Sequence, residues 1–204
     1  MTAIAAGNLH SLLLDVDGHA WTFGLGIDGQ LGYGDDNNLE VPKKIENLPL
    51  ITAIAAGNFH SLLLDKHGHV WTFGRGGDGQ LGHGDKKYLF VPKIIENLPL
   101  ITTIHGGKDH SLVLDMNAQA WIFGHGWDLQ TDMDLQSKPT RIENLPLIAG
   151  AANWPFGCLL IDTNGDVWHY SKIAKGPRQL KLGVKIALPL IRKDYRTKSA
   201  KGAE

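Results

Sequence analysis

Cysteine occurs once in the 204 residues, at Cys158, so no disulfide can form within the chain and the composition fits a reducing compartment, cytoplasmic or nuclear. Long apolar runs are absent too. Nothing approaches the roughly 18 residues of a membrane span, and the first seven residues lack the basic start and apolar stretch of a secretory signal. Charge of one sign is also missing: the 20 basic and 21 acidic residues nearly cancel, which leaves no overall field to attract a nucleic-acid backbone or an anionic membrane. A hydrophobic content of 43% excludes a disordered chain and provides for a sizeable core. The expectation from these absences is a soluble intracellular protein with a protein partner rather than nucleic acid.

What is present is repetition. Trp21, Trp71, Trp121 and Trp168 fall 50, 50 and 47 residues apart, and a period near 50 belongs to propeller blades. Residues 1–50 and 51–100 are identical at 37 of 50 positions, so one is a recent duplicate of the other. The third copy, 101–147, has diverged and lost three residues, and the fourth, 148–190, is weaker. Residues 191–204 lie outside the pattern. From Arg192 this end holds five basic and two acidic residues and few apolar ones, which reads as a frayed tail.

Each copy divides into four strand candidates. In the second, Ile51–Ala56 leads to Gly57, and His60–Asp65 is an apolar run between turn signals. Leu62, Leu63 and Leu64 put apolar groups on both faces, which suits a sheet buried between two neighbours. Lys66-His67-Gly68 is a tight hairpin, and His69–Phe73 is the third strand, with Val70 facing opposite to Trp71 and Phe73. Phe90–Ile95 is the outer strand, where an edge position tolerates Pro92. The fold class expected is all-β, a β-propeller of four blades spanning residues 1–190, with Trp71 and its copies packed between blades.

Gly57-Asn58-Phe59-His60-Ser61, then Trp71-Thr72-Phe73-Gly74, then Asp78-Gly79-Gln80-Leu81-Gly82-His83-Gly84-Asp85 together resemble the repeat of the regulator of chromosome condensation family. The resemblance covers about residues 2–190. It implies a ring of about seven blades, against four copies here. Three arrangements are open: a compact ring of four, pairing of two chains as a homodimer, or an open arc.

Several motifs tempt a chemical reading. Gly24-Leu25-Gly26-Ile27-Asp28-Gly29 and Gly74-Arg75-Gly76-Gly77-Asp78-Gly79 match a dinucleotide-binding pattern, but that pattern works only when a helix follows to aim its amides at phosphate, and more glycines follow here. A blade loop with unusual backbone angles is expected instead. His67 and His69, and His105 near His110, do not converge on a ligand set, so no metal or cofactor is expected. His10, His60 and His110 recur at one blade position and read as buried imidazoles bonding between strands. Asp15, Asp65, Asp115 and Asp162 recur before a hairpin, as turn acceptors do. Repetition argues against a catalytic pair, which needs two unlike environments. Cys158 replaces a serine and reads as a small buried residue.

The position just before the recurring histidine behaves differently. It carries Leu9, Phe59, Asp109 and Phe156, a mixture that equivalent core sites would not need. Variation on a copied scaffold points to partner recognition. The family resemblance adds that the founding member is a nucleotide-exchange factor for the small GTPase Ran, in which an acidic residue in this slot of a Gly-x-Asp-His motif matters for exchange, and Gly107-Lys108-Asp109-His110 is similar. The reading is a protein-binding module with no catalytic residues of its own. The alternative is guanine-nucleotide exchange or regulation on a Ran-type GTPase.

Overall fold

The structure is a computed structural model, and it describes residues 1–125, 136–154, 157–171 and 176–181. Among these every regular element is a strand. Blade 1 holds β1 (Ala3–Ala6), β2 (His10–Leu14), β3 (Ala20–Gly24) and β4 (Leu39–Lys44). Blade 2 holds β5 (Ile51–Ala56), β6 (His60–Asp65), β7 (Val70–Gly74) and β8 (Leu89–Ile94). Blade 3 holds β9 (Ile101–Gly106), β10 (His110–Asp115), β11 (Ala120–Gly124) and β12 (Gln136–Arg141). Blade 4 holds β13 (Ile148–Trp154), β14 (Gly157–Asp162), β15 (Val167–Ser171) and β16 (Gly176–Leu180). Each sheet is antiparallel with spatial order equal to chain order, so one sequence copy makes one blade. The C-terminal tail lies outside the described residues.

The two-faced leucine run explains how the blades stack. Leu12, Leu14 and Ala20 of blade 1 pack against Leu63 and Phe73 of blade 2, while Leu62, Leu64 and Val70 of blade 2 face Val113 and Phe123 of blade 3. Leu112, Leu114 and Ala120 then meet Leu160 and Cys158 of blade 4. Core therefore lies between sheets, three slabs for four blades. Adjacent blades are also stitched by backbone: Ile51, Ile101 and Ile148 donate to the hairpin carbonyls of Gly18, Gly68 and Ala118, each at 2.8 Å. The prolines Pro42, Pro92, Pro139 and Pro177 all fall in outer edge strands, where a missing N–H costs nothing.

β5 and β6 keep the expected bounds. β7 starts one residue later than expected, because the His69 amide is taken by Asp65 Oδ1 at 3.0 Å and so belongs to the hairpin. β8 runs from Leu89 to Ile94, and Ile95 leaves it to enter the core at 5% exposure.

Of the three arrangements open from sequence, the compact ring of four is not the one formed. Strand packing runs from β1 and β2 to β5, from β5 and β6 to β9, and from β9 to β13. The far face of blade 1 stays open: Ile4 is 78% exposed, whereas its counterpart Ile104 is 6% exposed. The four sheets form an open arc.

Candidate functional site

Leu9, Phe59 and Asp109 sit on tight turns joining the first two strands of blades 1, 2 and 3. Gly7, Gly57 and Gly107 donate their amides to the carbonyls of His10, His60 and His110 at 2.9, 2.9 and 2.8 Å, closing the turn. Glycine is required there for space. A Cβ on Gly57 would stand 2.0 Å from His60 Cε1 and 2.6 Å from the Gly107 carbonyl of the next blade. The histidine ring thus lies on the glycine, and neighbouring turns nearly touch: Asn8 N donates to Asn58 O at 3.1 Å and Asn58 N to Lys108 O at 3.3 Å. These turns border a hollow of about 360 Å3 at the inner ends of the blades.

Behind the turns, the histidines are buried at 3%, 0% and 1% exposure. His10 Nε2 bonds Ser61 Oγ at 3.0 Å, and Ser61 Oγ donates to the Gln30 carbonyl at 2.8 Å. The next junction repeats this with His60, Ser111 and Gln80 at 3.0 and 2.9 Å. Since each serine proton goes to a glutamine carbonyl, the histidine must be the donor, with a proton on Nε2. Burial keeps the rings neutral, lowering His10 to about 4 and His60 to about 3. The bond partner is a serine of the next blade, so these imidazoles join blade to blade.

The glycine-rich loops carry the other half of this join. Gly24, Gly29, Gly32 and Gly34 have φ of 105, 80, 82 and 88°, and the loop docks on the next blade, Gly34 N donating to Phe90 O at 2.7 Å. Gln30 is wholly buried, with Oε1 accepting from Asp28 N at 2.9 Å. Each blade tryptophan is half-buried beside the slab between blades or, for Trp21, on the open face, and donates its indole N–H to the hairpin aspartate. The Trp21, Trp71, Trp121 and Trp168 bonds measure 2.9, 3.1, 2.9 and 3.1 Å. The Trp21 indole, with the His19 amide, brings Asp15 down to about 2. Asp65 is likewise lowered: burial pulls its pKa up, but bonds from Trp71, His69 and His67 outweigh it.

The slot side chains stand free of that framework. Their carbonyls are fixed, Leu9 O by Leu25 N at 2.7 Å, Phe59 O by Arg75 N at 2.9 Å and Asp109 O by His125 N at 2.8 Å. Leu9 is 54% exposed, Phe59 is half-buried, and the Asp109 side chain is 14% exposed. Arg75 lies 5.9 Å from the Phe59 ring centre and 3.8 Å from Asp78, and Lys108 lies 3.9 Å from Asp109. Burial and the nearby Asp78 carboxylate raise the Asp109 pKa against the pull of Lys108 and Arg75. Phe156 lies outside the described residues. One end of the arc therefore presents an apolar group, a cation over an aromatic ring, and a partly desolvated carboxylate in succession.

Sequence reading missed the companion positions 25, 75 and 125, which stand beside the slots. A signal was available, since Leu25/Arg75 and Ile27/Gly77 are among the 13 differences between the first two copies. It also missed the aspartate–tryptophan bond, although those residues are six apart in all four copies.

The profile described as "Regulator of chromosome condensation (RCC1) repeat" matches residues 17–64 and 67–114, and a second profile of the same description matches 1–30 and 51–80. A Protein RCC2 homolog from Xenopus laevis is 46% identical over 48 residues, 22% of this chain and 9% of its own length. An X-linked retinitis pigmentosa GTPase regulator homolog from Caenorhabditis elegans is 47% identical over 47 residues, 22% of this chain and 3% of its own. Among solved structures, human WBSCR16 superposes with a TM-score of 0.71 at 22% identity, over 82% of this chain and 46% of that one. Saccharomyces cerevisiae Prp20p, studied for its binding to Gsp1p and histones, gives 0.70 at 23%, over 83% and 44%. The chain thus spans under a tenth of those relatives and under half of the solved chains. The two profiles together run through residues 1–114, more than half of the sequence, and with the blade fold they show that this chain belongs to the regulator of chromosome condensation repeat family.

Proposed function

We propose that the arc is a protein-recognition module whose partner docks on the end formed by Leu9, Phe59 and Asp109, with Phe156 as the fourth slot. One observation carries this reading. The slot backbones are held by the same bonds in three blades, within 0.2 Å, while the side chains attached to them are aliphatic, aromatic and acidic. Neither packing nor turn geometry requires that spread, and interfaces draw their energy from a few such anchors on a fixed support. Prp20p, whose fold is similar, is known in complex with Kap60, which accords with a protein partner. A photo-crosslinking residue placed at position 9 or 59 is expected to capture a partner that the same residue at Val16 or Lys66, on the hairpins at the opposite end, does not. Equal capture from both ends would remove the assignment.

A second reading, regulation of a small GTPase by nucleotide exchange, is favoured by Gly107-Lys108-Asp109-His110 and by the GTPase-regulator name of the Caenorhabditis relative. It predicts that the chain speeds release of a fluorescent guanine nucleotide from a member of a GTPase panel, and that Asp109→Ala removes most of that acceleration. No acceleration on any member would leave the binding reading alone.

A further inference from the structure

We propose that the cleft between the outer strands of blades 2 and 3 binds a phosphate monoester, held by Lys93, Lys138 and His83. The cleft is a hollow of about 310 Å3 lined by His83, Lys93, Glu96, Asn97, Lys138 and Pro139, a size at the lower end of small-ligand sites. Its lining has a counterpart one blade earlier. There the Tyr33 hydroxyl donates to the Lys43 carbonyl, Lys43 Nζ lies 4.4 Å from the Tyr33 ring centre, and Val91 lies against Gly34. At the second junction His83 replaces Tyr33 and Lys138 replaces Val91, its stem lying over Gly84, while the lysine is kept as Lys93. The adjoining loop changes in the same sense, Asp36 and Asn37 of blade 1 becoming Lys86 and Lys87 of blade 2. Its anchoring is unchanged, since Gly34 N donates to Phe90 O and Gly84 N to Ser137 O, both at 2.7 Å. One backbone frame thus carries an aromatic plug at the first junction and a cationic hollow at the second.

The charges and the imidazole state the chemistry of the occupant. Among the described residues neither Lys93 nor Lys138 forms an ion pair. Thr72 Oγ1 donates to Leu81 O at 2.7 Å, so His83 donates its Nε2–H to Thr72 Oγ1 at 2.9 Å. That bond fixes the ring and leaves Nδ1 for a ligand. Burial and Lys93 lower the His83 pKa against the pull of Asp85 and Glu96, so the empty hollow sets two ammonium groups against the one carboxylate that lines it. An anion entering beside Lys93 and Lys138 favours a proton on Nδ1. Two positive charges are then left over, which matches a phosphate monoester rather than a side-chain carboxylate. A phosphorylated side chain of a partner and a small phosphate offer the same dianion.

Calorimetric titration of the whole chain with inorganic phosphate and with a short phosphoserine peptide is expected to show binding, and the same peptide without its phosphate none. Tighter binding of the peptide assigns the occupant to a phosphorylated protein, and equal binding to a small phosphate. Lys93→Gln and Lys138→Gln, both at exposed positions, should each weaken binding about tenfold, as loss of one charge-assisted bond does. Lys43→Gln at the first junction should leave it unchanged. His83→Tyr combined with Lys138→Val rebuilds the lining of the first junction, so it keeps the strand content by circular dichroism and abolishes binding. Sulfate, whose charge is constant near neutral pH, should bind more tightly as pH falls, and His83→Gln should remove that dependence. No heat with either phosphate probe, equal binding of the unphosphorylated peptide, the same affinity in Lys93→Gln, Lys138→Gln and Lys43→Gln, or sulfate binding indifferent to pH would each overturn the proposal.

Discussion

Ala118 stands where the hairpins of the other three blades have Gly18, Gly68 and Gly165, and it adopts the same left-handed conformation, φ 60°. An alanine there is strained by its Cβ, so Ala118→Gly is expected to raise stability by up to about 1 kcal/mol in urea denaturation. A loss would show the strain to be absent. Asp109 carries the opposite lesson. Its carboxylate is partly desolvated and its pKa raised, so at neutral pH its charge does not support the fold. Asp109→Asn should therefore leave the melting temperature within the range of an ordinary surface change, about 0.5 kcal/mol, while lowering partner capture. Equal damage to fold and capture would make the slot structural. The hairpin tryptophans are bound to their aspartates, so Trp71→Phe removes one bond to a buried carboxylate and should cost about 1–3 kcal/mol. A melt unchanged from wild type would show that water replaces the indole.

At the scale of the element, the inner turn is the part that tolerates least. Neighbouring turns approach so closely that a Cβ on Gly57 meets both its own histidine ring and the next blade's backbone, and Gly57→Ala should cost about 1–3 kcal/mol, read as a lower denaturation midpoint. The strands themselves were largely legible. Apolar runs between glycine and other turn signals located β5 and β6 to the residue, because such punctuation is local in the chain. The start of β7 was not, since a side-chain oxygen of Asp65 competes for the His69 amide and propensity says nothing about that. The glycine-rich loops were legible as special backbone but not as inter-blade connectors. Their docking depends on residues such as Phe90 and Ser61, tens of positions away in the chain.

For the whole molecule, the shared histidines make stability depend on pH. His10 and His60 are held at about 4 and about 3, below the ordinary 6.5 of the unfolded chain. Above pH 6.5 both states are neutral and the blade junctions are at full strength. As pH falls below 6.5 the unfolded chain takes up protons that the folded arc refuses, and stability is lost down to about pH 4 for His10 and about pH 3 for His60. The loss is on the order of 3 kcal/mol for His10 and on the order of 5 kcal/mol for His60. Thermal melts from pH 7 to 4 should show this decline, and a flat profile would mean the rings are not excluded from water. The sequence by itself determined the repeat, the strands, the two apolar faces of each blade and the recurring glycine, histidine and aspartate, because all of these are set by local spacing. Only the tertiary structure decided which serine each histidine meets, where the loops dock, and that four blades leave an open arc. Those depend on the rotation from one blade to the next, which accumulates over long-range contacts that no window of sequence contains.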